Sequence, residues 1–244
     1  SNPTPVARPV PRHPGTKGRE APLPRSVDLG PPGGAAPRLV GELIARGDDV
    51  TAVPRRPEQA GQLRTLGAEP VLLDVADEVR SGSLDGFVQI LPGADAVVYA
   101  AGASSAPIDV ARLVDGDGVA VAARAAEAAG VDRFLLISAF PDAWRGKGMP
   151  AAFEEYMGIK KAADVALVAT GLDWVIVRPG TLTNRSRTGR VALGPAIAYG
   201  DVSRADVAAV LAELVHRTEV SRQVLELTEG TALITDAVDA VARL

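Results

Sequence analysis

The sequence predicts a doubly wound α/β fold: a parallel sheet with helices packed on both faces. Three observations point to it. Short β-branched runs recur at 50–53, 71–74, 96–100, 134–138 and 174–177, with helical patterns between them. These runs are apolar at nearly every position, as strands buried on both faces are, rather than alternating. The length of 244 residues, 47% of them hydrophobic and 23% charged, suits one such domain with a core of its own.

Residues 1–25 stand apart from this pattern. Ten of the 19 prolines lie in the first 37 residues, and residues 1–25 carry five basic side chains against one acidic. The first aromatic residue is Phe87. Such a segment cannot bury a core and is expected to be disordered or draped over residues 26–244, which form the single domain. It lacks the unbroken apolar run of a secretory signal, and no run approaches the roughly 18 residues of a transmembrane helix. A cytoplasmic protein without a membrane partner is expected. A basic arm with no stacking aromatics and no folded reader gives no reason to expect a nucleic-acid partner. With no Cys and only His13 and His216, thiolate chemistry, disulfides and a Cys- or His-built metal site are excluded.

The first strand, 26–29, leads into Gly30-Pro31-Pro32-Gly33-Gly34-Ala35-Ala36, and a helix follows whose Leu39, Val40, Leu43 and Ile44 share one face. Gly30, Gly33 and Ala36 have the spacing of a phosphate-binding turn, in which glycines let backbone approach a pyrophosphate at a helix N-terminus. A plain Gly/Pro turn explains the same residues. Pro31 and Pro32 remove two amide donors from the loop, and Asp28 puts a carboxylate into a strand buried on both faces.

The second strand ends before Pro54-Arg55-Arg56. Two cations there suit a 2′-phosphate, where an NAD-binding chain usually places an acid for the ribose; a solvated basic turn is the alternative. Asp74 and Val75 end the third strand, with Asp74 set either to meet an adenine amino group or to cap a helix. After the fourth strand, Ala100, Ala101 and Gly102 are small enough for backbone to lie against a cofactor.

An Ala-rich helix over about 110–129 stops at Gly130, and the fifth strand ends at Ser138. The next helix, about 151–170, carries Tyr156 and Lys160 at i and i+4, on one face. A free phenol has a pKa near 10. The Lys160 ammonium is expected to favour its phenolate, while the Ser138 hydroxyl holds a substrate oxygen. Ser203 with Asp206 marks a helix start over 206–215, followed by a strand at 224–227 and a last helix at 232–244.

The set formed by Lys160-Lys161-Ala162-Ala163-Asp164, Gly171-Leu172-Asp173-Trp174-Val175-Ile176-Val177-Arg178-Pro179-Gly180-Thr181 and Ser203-Arg204-Ala205-Asp206-Val207-Ala208 resembles the NAD(P)H-binding atypical short-chain dehydrogenase family. That group is related to NmrA-like proteins and biliverdin reductase B. Gly47-Asp48-Asp49-Val50, Gly67-Ala68-Glu69-Pro70 and Asp117-Gly118 extend the similarity, which covers about residues 33–230. The resemblance implies a Rossmann-type fold, NADP(H) near Arg55 and Asp74, and Ser138, Tyr156 and Lys160 at the catalytic positions. Pro179 and Gly180 would border the nicotinamide, and Lys160 would also hold the ribose. It implies an NADPH-dependent reductase of a small carbonyl or unsaturated substrate, acting as a monomer or homodimer. The substrate walls would come from 103–109, 141–153 and 183–201, with Trp144, Met149, Phe153 and Tyr199 as apolar contacts. A nucleotide-sensing protein without turnover, and a cofactor-independent isomerase, cyclase or lyase on the same scaffold, are the alternatives.

Overall fold

The computed structural model describes residues 25–29, 34–103, 106–144 and 146–244. Residues 1–24 of the expected arm, and the turn residues Gly30, Pro31, Pro32 and Gly33, lie outside the described residues.

The chain alternates strand and helix through its first six elements: β1 (Arg25–Leu29), α1 (Ala36–Ala45), β2 (Asp49–Ala52), α2 (Pro57–Leu66), β3 (Glu69–Pro70) and α3 (Val75–Ser81). Then come α4 (Asp85–Ile90), β4 (Ala96–Tyr99), α5 (Ile108–Ala111), a π-helical stretch (Arg112–Asp117), α6 (Gly118–Ala129), β5 (Arg133–Ile137) and α7 (Ala151–Val168). The last part holds β6 (Asp173–Pro179), β7 (Thr181–Thr183), β8 (Arg190–Gly194), β9 (Asp201–Ser203), α8 (Arg204–Val215), β10 (Gln223–Glu229), β11 (Ala232–Leu233) and α9 (Ile234–Val241).

Among the described residues, nine strands form one sheet in the order β11-β8-β10-β6-β5-β4-β1-β2-β3. Neighbours from β10 to β3 run parallel, whereas β8 is antiparallel to both β10 and β11. This is the doubly wound, Rossmann-type sheet that the apolar runs predict. One core layer packs Leu39, Val40 and Leu43 of α1 with Val207 and Leu211 of α8 and Val238 of α9. The opposite layer packs Phe87 of α4 with Val119 and Ala122 of α6 and Leu167 of α7.

Two elements differ from the sequence reading. The third strand is not 71–74 but the two residues of β3. The Val71 amide still donates to Ala52 O at 2.9 Å and that of Leu73 to Pro54 O at 3.3 Å, but Pro54 has no N–H to return, so the ladder lapses. The helix expected over 232–244 begins two residues late, because Ala232 and Leu233 pair with Val191 and Arg190 as β11.

Arg133, 4% exposed, ties the sheet to α8. Its guanidinium donates to Leu214 O at 2.6 Å, Arg217 O at 3.1 Å, Val220 O at 2.8 Å and Asp173 Oδ2 at 3.0 Å. The carbonyls at a helix C-terminus have no intrahelical donors, so one side chain closes the end of α8 and its following turn.

Asp28 has no such compensation. Val27 and Leu29 face the α6 layer, so Ser26 and Asp28 point the other way, with Asp28 between Ala52 and Val98 of the α1 layer. It is 2% exposed, and Asp28 Oδ1 and Ser26 Oγ have no hydrogen-bond partner among the described residues. Burial holds the Asp28 carboxyl well above the usual carboxylate range. The folded chain therefore keeps a proton that the unfolded chain releases near pH 4. Stability from this group is full below that pH and is lost as pH rises toward the raised folded value. Asp28→Val should raise the Tm, and the gain should be larger at pH 8 than at pH 5. The difference grows by about 1.4 kcal/mol for each pH unit over which only the native state holds the proton. Thermal unfolding at the two pH values checks this, and equal gains would show that Asp28 is already ionised in the native protein.

Candidate active site

The C-terminal ends of β2, β1, β4, β5 and β6 open on one side of the sheet, and the strand order reverses between β1 and β4. Ligands of open α/β sheets bind in the crevice that such a reversal creates. Most of the site residues predicted from sequence lie along this edge.

The most closely joined of them meet at a residue that sequence reasoning did not single out. Asp115 sits in the π-helical stretch, wholly buried. Its Oδ2 accepts the Ala103 amide at 2.7 Å. Its Oδ1 accepts the Tyr156 hydroxyl at 2.9 Å and faces Lys160 Nζ at 3.4 Å. Lys160, 4% exposed, also donates to Ile137 O at 3.0 Å, one residue before Ser138. The sequence did carry a signal. Ala111, Asp115, Gly118, Ala122 and Ala125 follow helical spacing and all are buried, so one carboxylate interrupts an otherwise small and apolar face.

The π-helical turn aims Asp115, and β4 supports it. Tyr99, fully buried, donates its hydroxyl to Val114 O at 2.6 Å. The approach is possible because residue 118 is glycine: a Cβ there would overlap Tyr99 Oη and stand 2.7 Å from Val75 Cγ1 and 2.9 Å from Leu113 O. Wider helical turns of this kind concentrate at functional sites.

Asp115 also reverses the expected electrostatics of Tyr156. The ammonium of Lys160 does not stand alone beside the phenol, because a carboxylate oxygen contacts both. Burial first, and then the Asp115 charge and hydrogen bond, push the Tyr156 phenol far above its ordinary value. Tyr156 is held as a neutral phenol, not as the phenolate expected from the Tyr–Lys pair.

Ser138 ends the β5 segment, its amide donating to Val177 O at 2.8 Å. Its hydroxyl is buried with no hydrogen-bond partner among the described residues. A buried hydroxyl without a partner is unusual.

Of the residues expected around a dinucleotide, Gly30 and Gly33 lie outside the described residues, and Gly34 precedes α1. Among the described residues that helix has no side-chain cap and no acid in its first turn, and such an end favours an anion. Arg55 and Arg56 are exposed after β2, with Arg56 3.4 Å from Glu58. Asp74 Oδ1 caps α3 by accepting the amides of Ala76 and Asp77, and Val75 is buried in the α6 layer. Ala100 and Ala101 are half-buried; Gly102 is exposed, and a Cβ there would press on Asp115 Oδ1 at 3.3 Å. Pro179 and Gly180 are buried, and the Gly180 amide donates to Leu227 O at 2.9 Å. The α1 N-terminus, the two exposed arginines and the Ser138 hydroxyl make a donor set that fits a dinucleotide of the NAD(P)H type.

The structure brings two of the four expected substrate contacts together and adds a third ring. Tyr199 packs edge-on against Trp144 and Phe140, each with centroids 5.3 Å apart. Its hydroxyl lies 2.7 Å from Thr181 Oγ1, and Lys147 Nζ stands 4.8 Å above the Trp144 ring. Phe140, two residues beyond Ser138, was not anticipated. Met149 and Phe153 are half-buried at the approach to α7 and in its first turn. Among the described residues no acidic or histidine cluster could hold a metal, and no helix is long and apolar enough to cross a membrane.

Residues 30–218 match a family model described as NAD(P)H-binding. YhfK of Bacillus subtilis, named as an uncharacterized sugar epimerase, is 34% identical over 189 residues, covering 77% of this chain and 86% of that one. A Bacillus halodurans structure provisionally named as an NAD-dependent epimerase/dehydratase superposes with a TM-score of 0.79 at 30% identity, covering 88% of this chain and 99% of the other. The oxidoreductase YlbE of Lactococcus lactis superposes with a TM-score of 0.78 at 25% identity, covering 90% and 97%.

Replacing Gly118 with Ala should force Tyr99 away from Val114 and lower stability by about 1–3 kcal/mol. The added Tyr99→Phe change, which removes the nearest overlapping atom, should recover part of the loss. Denaturant titration of the single and double variants measures both effects.

Proposed function

Because the chain belongs to the NAD(P)H-binding family, we propose that it is an NADPH-dependent oxidoreductase that reduces a small carbonyl or otherwise unsaturated substrate. The observation that carries this reading is the junction of Tyr156 and Lys160 on one oxygen of Asp115, with Lys160 also bonded to Ile137 O, one residue before Ser138. NADPH, when bound, supplies the hydride.

The residues of the chain do the remainder. Gly30, Gly33 and Gly34, with the open end of α1, take the pyrophosphate, and Arg55 and Arg56 the 2′-phosphate. Ala100, Ala101 and Gly102 give a flat wall, while Pro179 and Gly180 border the nicotinamide. Asp74 and Val75 lie toward the adenine, with one Asp74 oxygen committed to capping α3. Ser138 donates to the substrate oxygen and orients it. Tyr156, which keeps its proton, delivers it to that oxygen as negative charge develops there. Lys160 holds the ribose and faces the charge left behind. Trp144, Tyr199, Met149 and Phe153 offer apolar contact to the substrate body.

Relatives named as oxidoreductase and as epimerase are compatible with this chemistry, since both classes of reaction move a hydride at a carbon that bears oxygen. Fluorescence titration with NADPH beside NADH tests the cofactor: NADPH should saturate at micromolar levels, and Arg55→Ala with Arg56→Ala should weaken it about tenfold, or 1.4 kcal/mol, without affecting NADH. Tyr156→Phe should lower carbonyl reduction by about 100-fold or more with the NADPH Kd unchanged. Binding without turnover over a broad carbonyl panel would favour a nucleotide-sensing protein, and no binding at all would favour a cofactor-independent enzyme.

A further inference from the structure

The polar cluster behind Ser138 goes further, on the footing of the reductase reading above. Tyr156 carries one hydroxyl proton and donates it to Asp115 at 2.9 Å, so what it offers a ligand is lone pairs. The two ligand-side roles of a proton donor and acceptor then need a second group that can take or return a proton. Asp115 is that group by position: its side chain is 1% exposed, and it bonds Tyr156 directly while Lys160 faces the same oxygen. Lys160 and Tyr156 reach it from α7 and the Tyr99 ring stands behind it on β4. The nearby Arg112 and Glu155 pair with each other at the surface at 2.8 Å.

We propose that Asp115 is a positioning residue and proton acceptor behind Tyr156, so that protons pass between substrate and carboxylate through the phenol. In the reductive direction Asp115 begins as a neutral carboxyl. The substrate carbonyl is reduced as its carbon gains the hydride and the dinucleotide is oxidised. The O–H bond of Tyr156 breaks, and its proton goes to the substrate oxygen. The Asp115 proton crosses to the Tyr156 oxygen, which leaves a carboxylate facing Lys160. Alcohol oxidation runs the same bonds backward and ends with Asp115 protonated. The anion rests on the carboxylate in the ionised state, and the phenol stays neutral in both, in keeping with the burial and neighbouring charge that oppose a phenolate at Tyr156.

The full chain has three tyrosines, which makes tyrosinate absorbance during alkaline titration a direct count, with circular dichroism showing that the fold persists. Tyr156→Phe should remove no tyrosinate formed below about pH 11. Asp115→Asn should add one, with a midpoint at least about one pH unit lower than Tyr156 has in the wild type, and the double variant should lose it again. A tyrosinate that Tyr156→Phe removes from the wild type overturns the proposal, and that comparison needs no change at Asp115. In turnover, mixtures of light and heavy water should give a bowed rate dependence for two moving protons, a straight one in Asp115→Asn, and partial recovery in Asp115→Glu. A straight dependence in the wild type overturns the relay. Absence of NADPH oxidation with every carbonyl, beside the expected titration, defeats the reductase reading alone.

Discussion

A parallel sheet covered on both faces gives no water to the side chains between its layers, and that constraint governs the rest of this molecule. Each polar group placed there must find protein partners or remain at a cost of roughly 1–3 kcal/mol. Arg133 meets the demand with four oxygens, closing the end of α8. Asp206 meets it by accepting the amides of Thr188 and Gly189 and the Ser203 hydroxyl, which fastens the turn into β8 to the start of α8. Asp164 does so at one oxygen, Oδ2, through the Arg178 guanidinium at 2.8 and 3.0 Å. Other buried atoms keep no partner among the described residues, and two places among them stand out: Ser26 and Asp28 are a local burden on β1, whereas Ser138 follows β5 at the C-terminal edge of the sheet.

The alternation of strands and helices was legible because burial on both faces writes itself into composition. Runs such as Ala96–Tyr99 and Arg133–Ile137 admit few polar residues, and Gly130, at φ +71°, marks the end of α6 as expected of a left-handed helix terminus. What could not be read were features decided by a partner elsewhere in the chain. The lapse of β3 depends on the missing amide of Pro54 in the neighbouring strand. The short strands β7, β8, β9 and β11 depend on each other's edges, and nothing in three residues such as Thr181–Thr183 announces a ladder.

The neighbourhood of Tyr156 and Lys160 was legible in part, and the electrostatics of the phenol were not. Spacing alone puts Tyr156 and Lys160 on one face of α7, and strand periodicity puts Ser138 at the end of β5. Whether the phenol gains or loses its proton depends on what stands opposite, and that is a residue from a different helix, 41 positions away in sequence. The aromatic group shows the same limit. Trp144 and Tyr199 were visible as apolar side chains, but their meeting with Phe140 arises from the segments after β5 and β6 lying side by side.

The π-helical stretch at Arg112–Asp117 has a consequence for how chains of this kind diverge. An α-helix advances about 100° per residue, and a π turn is in effect one residue inserted into it. Deleting one residue from this stretch would restore the regular helix and swing residue 115 about a quarter of the way round the axis, off Tyr156 and Lys160. Losing a single codon would thus redirect the carboxylate with no change in any side chain. Aligned relatives that differ by a gap here differ in which residue faces the phenol, even where every letter around the gap agrees.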